Sequence, residues 1–241
     1  MPRGLLLPAL PIAGFDRAQG TIDLFVSVDP AAHGLASLLA LRDGQSATLA
    51  GPLGRGFEVD PRSRYLLIVT DISGLARVRA VVDEAIASGR QVTLLYGASS
   101  ASEVFPSTLL RDEAEYVVAT ADGSLGYHGA VTDLVRDYEA WADQCFVAGS
   151  STLLSRMAAL AKGRDERMGV ARLGRRRARR RSPSAALAMR RSWLQVALPH
   201  AAGCALGVCL GCATPGAKGP LRVCREGPAF AVDELRWEPA P

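Results

Sequence analysis

From residue 65 onward the hydrophobic positions fall into two alternating rhythms. Short, nearly unbroken apolar runs occupy 65–70 (YLLIVT), 91–97 (QVTLLYG), 115–120 (EYVVAT) and 144–150 (QCFVAGS), as expected of strands buried on both faces. Between them the spacing turns helical. Residues 75–88 carry one such pattern, and Val131, Leu134, Val135, Tyr138 and Trp141 mark a second helical face. Residues 152–162 predict a further helix. Strands alternating with helices at this spacing predict a parallel sheet with crossover helices. Its ligand edge is expected at the strands' carboxyl ends, at 70–74, 97–100, 120–126 and 148–151.

The flanking segments read differently. Residues 22–28 (IDLFVSV) and 46–50 (SATLA) predict strands, and the turn-rich GPLGRGF follows at 51–57, as in part of a small β barrel. Residues 163–191 hold eleven arginines and two acids, so self-repulsion predicts a loop there rather than a packed element. The Gly- and Cys-rich stretch from 194 predicts a separate unit. The expected organisation is a partial barrel over 1–60, an α/β domain over 61–162, an Arg-rich insertion over 163–193 and a small C-terminal domain over 194–241.

Composition changes this picture little. A hydrophobic share of 49% and a charged share of 22% fit a soluble globular protein. The net charge of +4 is local: six arginines lie between Arg175 and Arg181, and the remainder is slightly acidic. No aromatic residue interleaves with that run to stack on bases, so it points away from nucleic-acid recognition. Residues 1–14 imitate a secretory leader, but Pro2, Pro8 and Pro11 break the apolar stretch. Residues 194–217 imitate a membrane anchor, yet prolines, glycines and cysteines interrupt them, and no membrane span is expected. His33, His128 and His200 are scattered and sit in no nucleophile motif, so no residue is assigned a catalytic role.

The chemistry concentrates in four of the five cysteines, spaced Cys204-x4-Cys209-x2-Cys212-x11-Cys224. A tight group in a mid-sized chain reads as a metal site in a reducing compartment such as the cytoplasm, not as a disulfide framework. The C-x4-C-x2-C run is the spacing of plant-type [2Fe–2S] ferredoxins, which take their fourth thiolate from further along. Structural zinc is the alternative, though its ligands usually come in C-x2–4-C pairs that do not share a middle cysteine. Cys145 lies in an apolar strand and reads as a core thiol.

The tail CALGVCLGC…RVCREGPAF…DELRW resembles the electron-transfer subunit of dihydroorotate dehydrogenase B. LPIAGFD at 10–16, GPLGRGF at 51–57 and DGSLGYHGAVTDL at 122–134 fall in the matching order. The resemblance implies a ferredoxin-reductase-like protein with a flavin barrel, an NAD-binding α/β domain and a [2Fe–2S] domain. It also implies a hetero-oligomer with a dihydroorotate dehydrogenase catalytic subunit, from which electrons pass through the cluster and FAD to NAD⁺ in pyrimidine biosynthesis. A flavin belongs between the other two because it exchanges one electron or two.

Carried over by position, the resemblance makes Cys204, Cys209, Cys212 and Cys224 the cluster ligands. It puts the flavin against Pro11, Ser27, Val28, Gly34 and Leu35, with residue 1 already inside the barrel. It puts the nicotinamide nucleotide near Gly74, Gly97, Asp122 and Gly123. Two departures stand out. The flavin-site Arg and Ser are replaced within residues 8–11, and the glycine-rich turn after the first α/β strand reads Thr70-Asp71-Ile72-Ser73-Gly74.

Overall fold

A seven-stranded sheet organises the computed structural model, which describes residues 9–24, 36–167, 192–199 and 203–237. Its central strand, β3 (Tyr65–Asp71), pairs in parallel with β4 (Gln91–Ala98) on one side and β7 (Gln144–Ala148) on the other. Beyond β4 lie β5 (Glu115–Thr120) and the short β6 (Tyr127–His128). Beyond β7 lie β8 (Leu194–Ala197), parallel, and β11 (Ala229–Ala231), antiparallel at the edge. The chain thus winds outward from β3 in one direction and then in the other. The crevice between the carboxyl ends of β3 and β7 is the topological switch point, where such sheets take ligands.

The unbroken apolar runs are explained by helices on both faces. Leu66 and Ile68 pack with α2 (Leu75–Ala87), while Leu67 and Val69 face the side of α3 (Val131–Tyr138) and α4 (Ser151–Arg167). All four are fully buried, each worth roughly 1.5–3 kcal/mol of burial.

Two expectations, those for residues 46–50 and 163–167, are corrected. Residues 46–50 form no strand; they are exposed, because the described backbone offers them no partner ladder. Of the partial barrel expected over 1–60, the described residues contain a hairpin of β1 (Ile12–Asp16) and β2 (Thr21–Leu24) and a one-turn helix α1 (Ala36–Leu39), and they close no barrel. Helix α4 continues through residues 163–167, expected in the Arg-rich loop, and Arg164 stacks its guanidinium 4.3 Å from the centre of the Trp193 ring. The remaining insertion, 168–191, lies outside the described residues.

The C-terminal segment is tied into the sheet. β8 and β11 are two of its strands, and Cys212, Val223, Cys224, Phe230 and Leu235 join the core beneath α4. Two buried glutamines fix the approach from the N-terminal part. Gln195 Nε2 donates to the Glu58 carbonyl at 2.7 Å while its Oε1 accepts from the Glu58 amide at 2.9 Å. Gln144 Oε1 accepts from the Asp60 amide at 2.7 Å. Among the described residues no helix is long and apolar enough to cross a membrane.

Candidate metal centre and sheet-edge crevice

The cysteine loop is built from backbone the sequence allows only at a cost. Ala205 and Leu210 adopt left-handed φ of 59° and 56°, and Gly207 one of 75°. These reversals turn amides inward. The Leu206 amide donates to Cys204 Sγ at 3.4 Å, and the Gly211 amide donates to Cys209 Sγ at 3.4 Å. The Cys204 thiol is pulled down to about 6 by the amides of Cys209, Val208 and Leu206, with the Cys209 thiol adding a further hydrogen bond.

The second pair of thiols is placed by a hairpin, β9 (Ala213–Gly216) against β10 (Gly219–Arg222), and by the helical turn α5 (Val223–Glu226) that follows. The ladder continues one bond further, from the Val223 amide to the Cys212 carbonyl at 3.2 Å. That register brings Cys212 Sγ and Cys224 Sγ to 3.3 Å. Burial and the Cys212 thiol push the Cys224 thiol up, partly offset by a hydrogen bond from the Gly207 amide.

The four sulfurs therefore come as two pairs, Cys204 with Cys209 and Cys212 with Cys224. Among the described residues no three Cys, His, Asp or Glu groups converge where one metal ion could sit. Paired soft thiolates fringed with amides fit a two-iron cluster, each pair serving one iron, better than one tetrahedral zinc.

Sequence reasoning missed the supports. Arg222 Nη1 donates to the Gly207 carbonyl at 3.1 Å and its Nε donates to Glu226 at 3.1 Å, clamping the loop to α5; the R-x-x-x-E spacing was the available signal. Gly54 and Arg55 of the 51–57 loop lie against Gly227, and Arg55 Nη2 donates to the Glu226 carbonyl at 3.2 Å. The apolar tips Leu206, Val208 and Leu210 are 74%, 72% and 61% exposed, the most of any large hydrophobic described.

Gly74, Gly97, Asp122 and Gly123 come together along one edge of the sheet, at the ends of β3, β4 and β5. Gly97 packs on Val131, and Gly123, at φ 72°, packs on the His128 ring. Asp122 Oδ1 accepts from both the amide and hydroxyl of Ser124, which lowers its carboxyl. Pro11 is half-buried just before β1. Ser27, Val28, Gly34 and Leu35 lie outside the described residues.

Residues 201–236 match the family model of the iron–sulfur cluster binding domain of dihydroorotate dehydrogenase B. The chain resembles that enzyme's electron-transfer subunits. It is 25% identical to the dihydroorotate dehydrogenase B (NAD(+)) electron transfer subunit of Listeria monocytogenes (strain HCC23), over 96% of this chain and 81% of the relative. A Desulforamulus reducens subunit of the same name is 26% identical over 97% and 81%. The probable subunit of Methanocella arvoryzae is 29% identical over 93% and 77%. The fold agrees: the structure of an NADH-dependent reduced ferredoxin–NADP oxidoreductase superposes with a TM-score of 0.70 at 18% identity, covering 95% of this chain and 73% of that one. The ferredoxin reductase of carbazole 1,9a-dioxygenase superposes at 0.53, covering 64% and 50%. The dihydroorotate dehydrogenase B subunits are thus its relatives in sequence, and ferredoxin reductases its neighbours in fold.

Proposed function

We propose that this chain is an electron-transfer subunit that partners a catalytic subunit oxidising dihydroorotate, in the cytoplasm and within pyrimidine biosynthesis. Cys204, Cys209, Cys212 and Cys224 hold a [2Fe–2S] cluster, which supplies a one-electron carrier. The pairing of the thiols, with Cys212 and Cys224 at 3.3 Å, is the observation that carries this reading. The amides of Leu206, Val208, Cys209 and Gly211 aim positive dipoles at the outer pair, where they favour added negative charge. The exposed Leu206, Val208 and Leu210 surround that pair and form the face that meets the catalytic subunit.

FAD, as the resemblance implies, lies against Pro11, Ser27, Val28, Gly34 and Leu35. The division near residues 60, 162 and 193 belongs to the same proposal, with β8 and β11 of the C-terminal unit completing the sheet of the α/β domain. NAD⁺ is the acceptor in the relatives' names, and Gly74, Gly97, Asp122 and Gly123 occupy the edge it would use. One observation favours a second reading in which cluster and partner face are kept and nucleotide binding at that edge is lost. The carboxylate of Asp71 fills the turn where the nucleotide's phosphates would lie.

The test is cofactor content after anaerobic purification, followed by mixing with the catalytic subunit and dihydroorotate. Two irons, two sulfides and one FAD per chain, with dihydroorotate-dependent bleaching of the cluster absorbance, are expected. Zinc without sulfide would overturn the proposal.

A further inference from the structure

A dinucleotide in a doubly wound sheet lays its pyrophosphate on the amides of the first strand-to-helix turn, at the switch point. In this chain those amides already have an anion. Asp71 Oδ1 accepts from the Ser73 amide at 2.9 Å, the Ser73 hydroxyl at 2.6 Å and the Gly74 amide at 3.1 Å, all at the start of α2. Its Oδ2 crosses the crevice and accepts from the Ser150 amide at 2.8 Å, at the start of α4. One side chain thus satisfies the ends of both helices that flank the switch point. An ordinary helix cap serves one.

The surroundings hold it there. A Cβ on Gly149 would lie 2.9 Å from Asp71 Oδ2, so the carboxylate is packed into the gap and does not merely line it. Arg77 spans the same gap, donating from Nη2 to the Ser73 carbonyl at 2.9 Å and reaching the Gly149 carbonyl at 3.5 Å. Its Nε is buried without a hydrogen-bond partner, and the Asp71 charge partly offsets the burial of the guanidinium. A nearby cation and amides from both helix starts are what a phosphate would ask for, and Asp71 takes them.

A nicotinamide dinucleotide does not fit this turn as built. Its pyrophosphate would either displace the carboxylate from four hydrogen bonds or bring like charge against it. We infer that Asp71 is a built-in occupant of the dinucleotide crevice and excludes nucleotides from it. This rests on the ferredoxin-reductase-like reading above and refines its acceptor side.

The experiment uses ADP-ribose, which carries the pyrophosphate but cannot be reduced, so binding is read independently of electron transfer. Calorimetry on the full chain compares the wild type with Asp71→Gly and Asp71→Asn. Asn keeps an amide-accepting oxygen without the charge, and so guards against loss of the fold. The wild type is expected to show no saturable binding at millimolar ligand, and Asp71→Gly to tighten binding at least tenfold, with Asp71→Asn between. Micromolar binding by the wild type would overturn the inference. So would two folded variants that bind no better than the wild type. Iron, sulfide and flavin measured in the same preparations report separately on the electron-transfer reading.

Discussion

Cys212 Sγ lies 3.3 Å from Cys224 Sγ although the two residues are twelve positions apart, because the β9–β10 hairpin folds one onto the other. The pair is nearly buried, whereas Cys209 at the far end of the loop is exposed. The centre therefore has an anchored side and an open side.

Loss of either side should abolish the cluster. Cys209→Ser and Cys224→Ser are each expected to purify without iron and without visible absorbance. Cys145→Ser should keep both, since Cys145 is fully buried in β7 and burial raises its thiol well above the ordinary range. Retained iron in either of the first two would contradict the ligand assignment.

Arg222 tests the clamp. It ties Gly207 to Glu226 and feels the charge of Cys224 and Cys212. Arg222→Gln should keep the cluster but lower its reduction potential by about 30–60 mV, up to a tenfold change in a one-electron equilibrium. A redox titration followed by electron paramagnetic resonance measures this. An unchanged potential would reduce Arg222 to a structural prop.

The exposed loop tips should matter to the partner and not to the metal. Leu206→Asp with Val208→Asp is expected to leave iron and sulfide unchanged while weakening association with the catalytic subunit more than tenfold. Association measured by calorimetry or light scattering decides it. Full affinity with a charged loop would place the interface elsewhere.

Gln195 tests the joint between the N-terminal part and the sheet. Its side chain is fully buried and satisfies both the amide and the carbonyl of Glu58. Gln195→Ala removes both of these bonds, leaving the Glu58 carbonyl the longer one from Gln144 Nε2 at 3.3 Å, and should cost about 1–3 kcal/mol. Urea denaturation would show the loss as a lower midpoint at unchanged slope.

Much of this was legible in the chain. The runs at 65–70, 91–97, 115–120 and 144–150 announced the parallel strands because a strand covered on both faces must be apolar throughout. The run at 46–50 misled for the complementary reason: alternation suggests a strand, but a strand exists only where a partner completes its ladder. At residues 163–167 charge composition suggested a loop, yet the helix continued, with Arg164 stacked on Trp193. Residues 194–197 were read with the cysteine tail and are a strand of the central sheet.

By itself the sequence determined the cysteine spacing, and hence the chemistry, because ligand type and local separation are written along the chain. Only the tertiary structure decided which thiols pair, what clamps their loop and what Asp71 touches. Those facts depend on segments far apart in sequence meeting across a hairpin, a helical turn and a sheet edge. Asp71 shows the difference most sharply. In the chain it is an acid where a glycine was expected; in the fold it bridges the starts of two helices and closes the crevice between them.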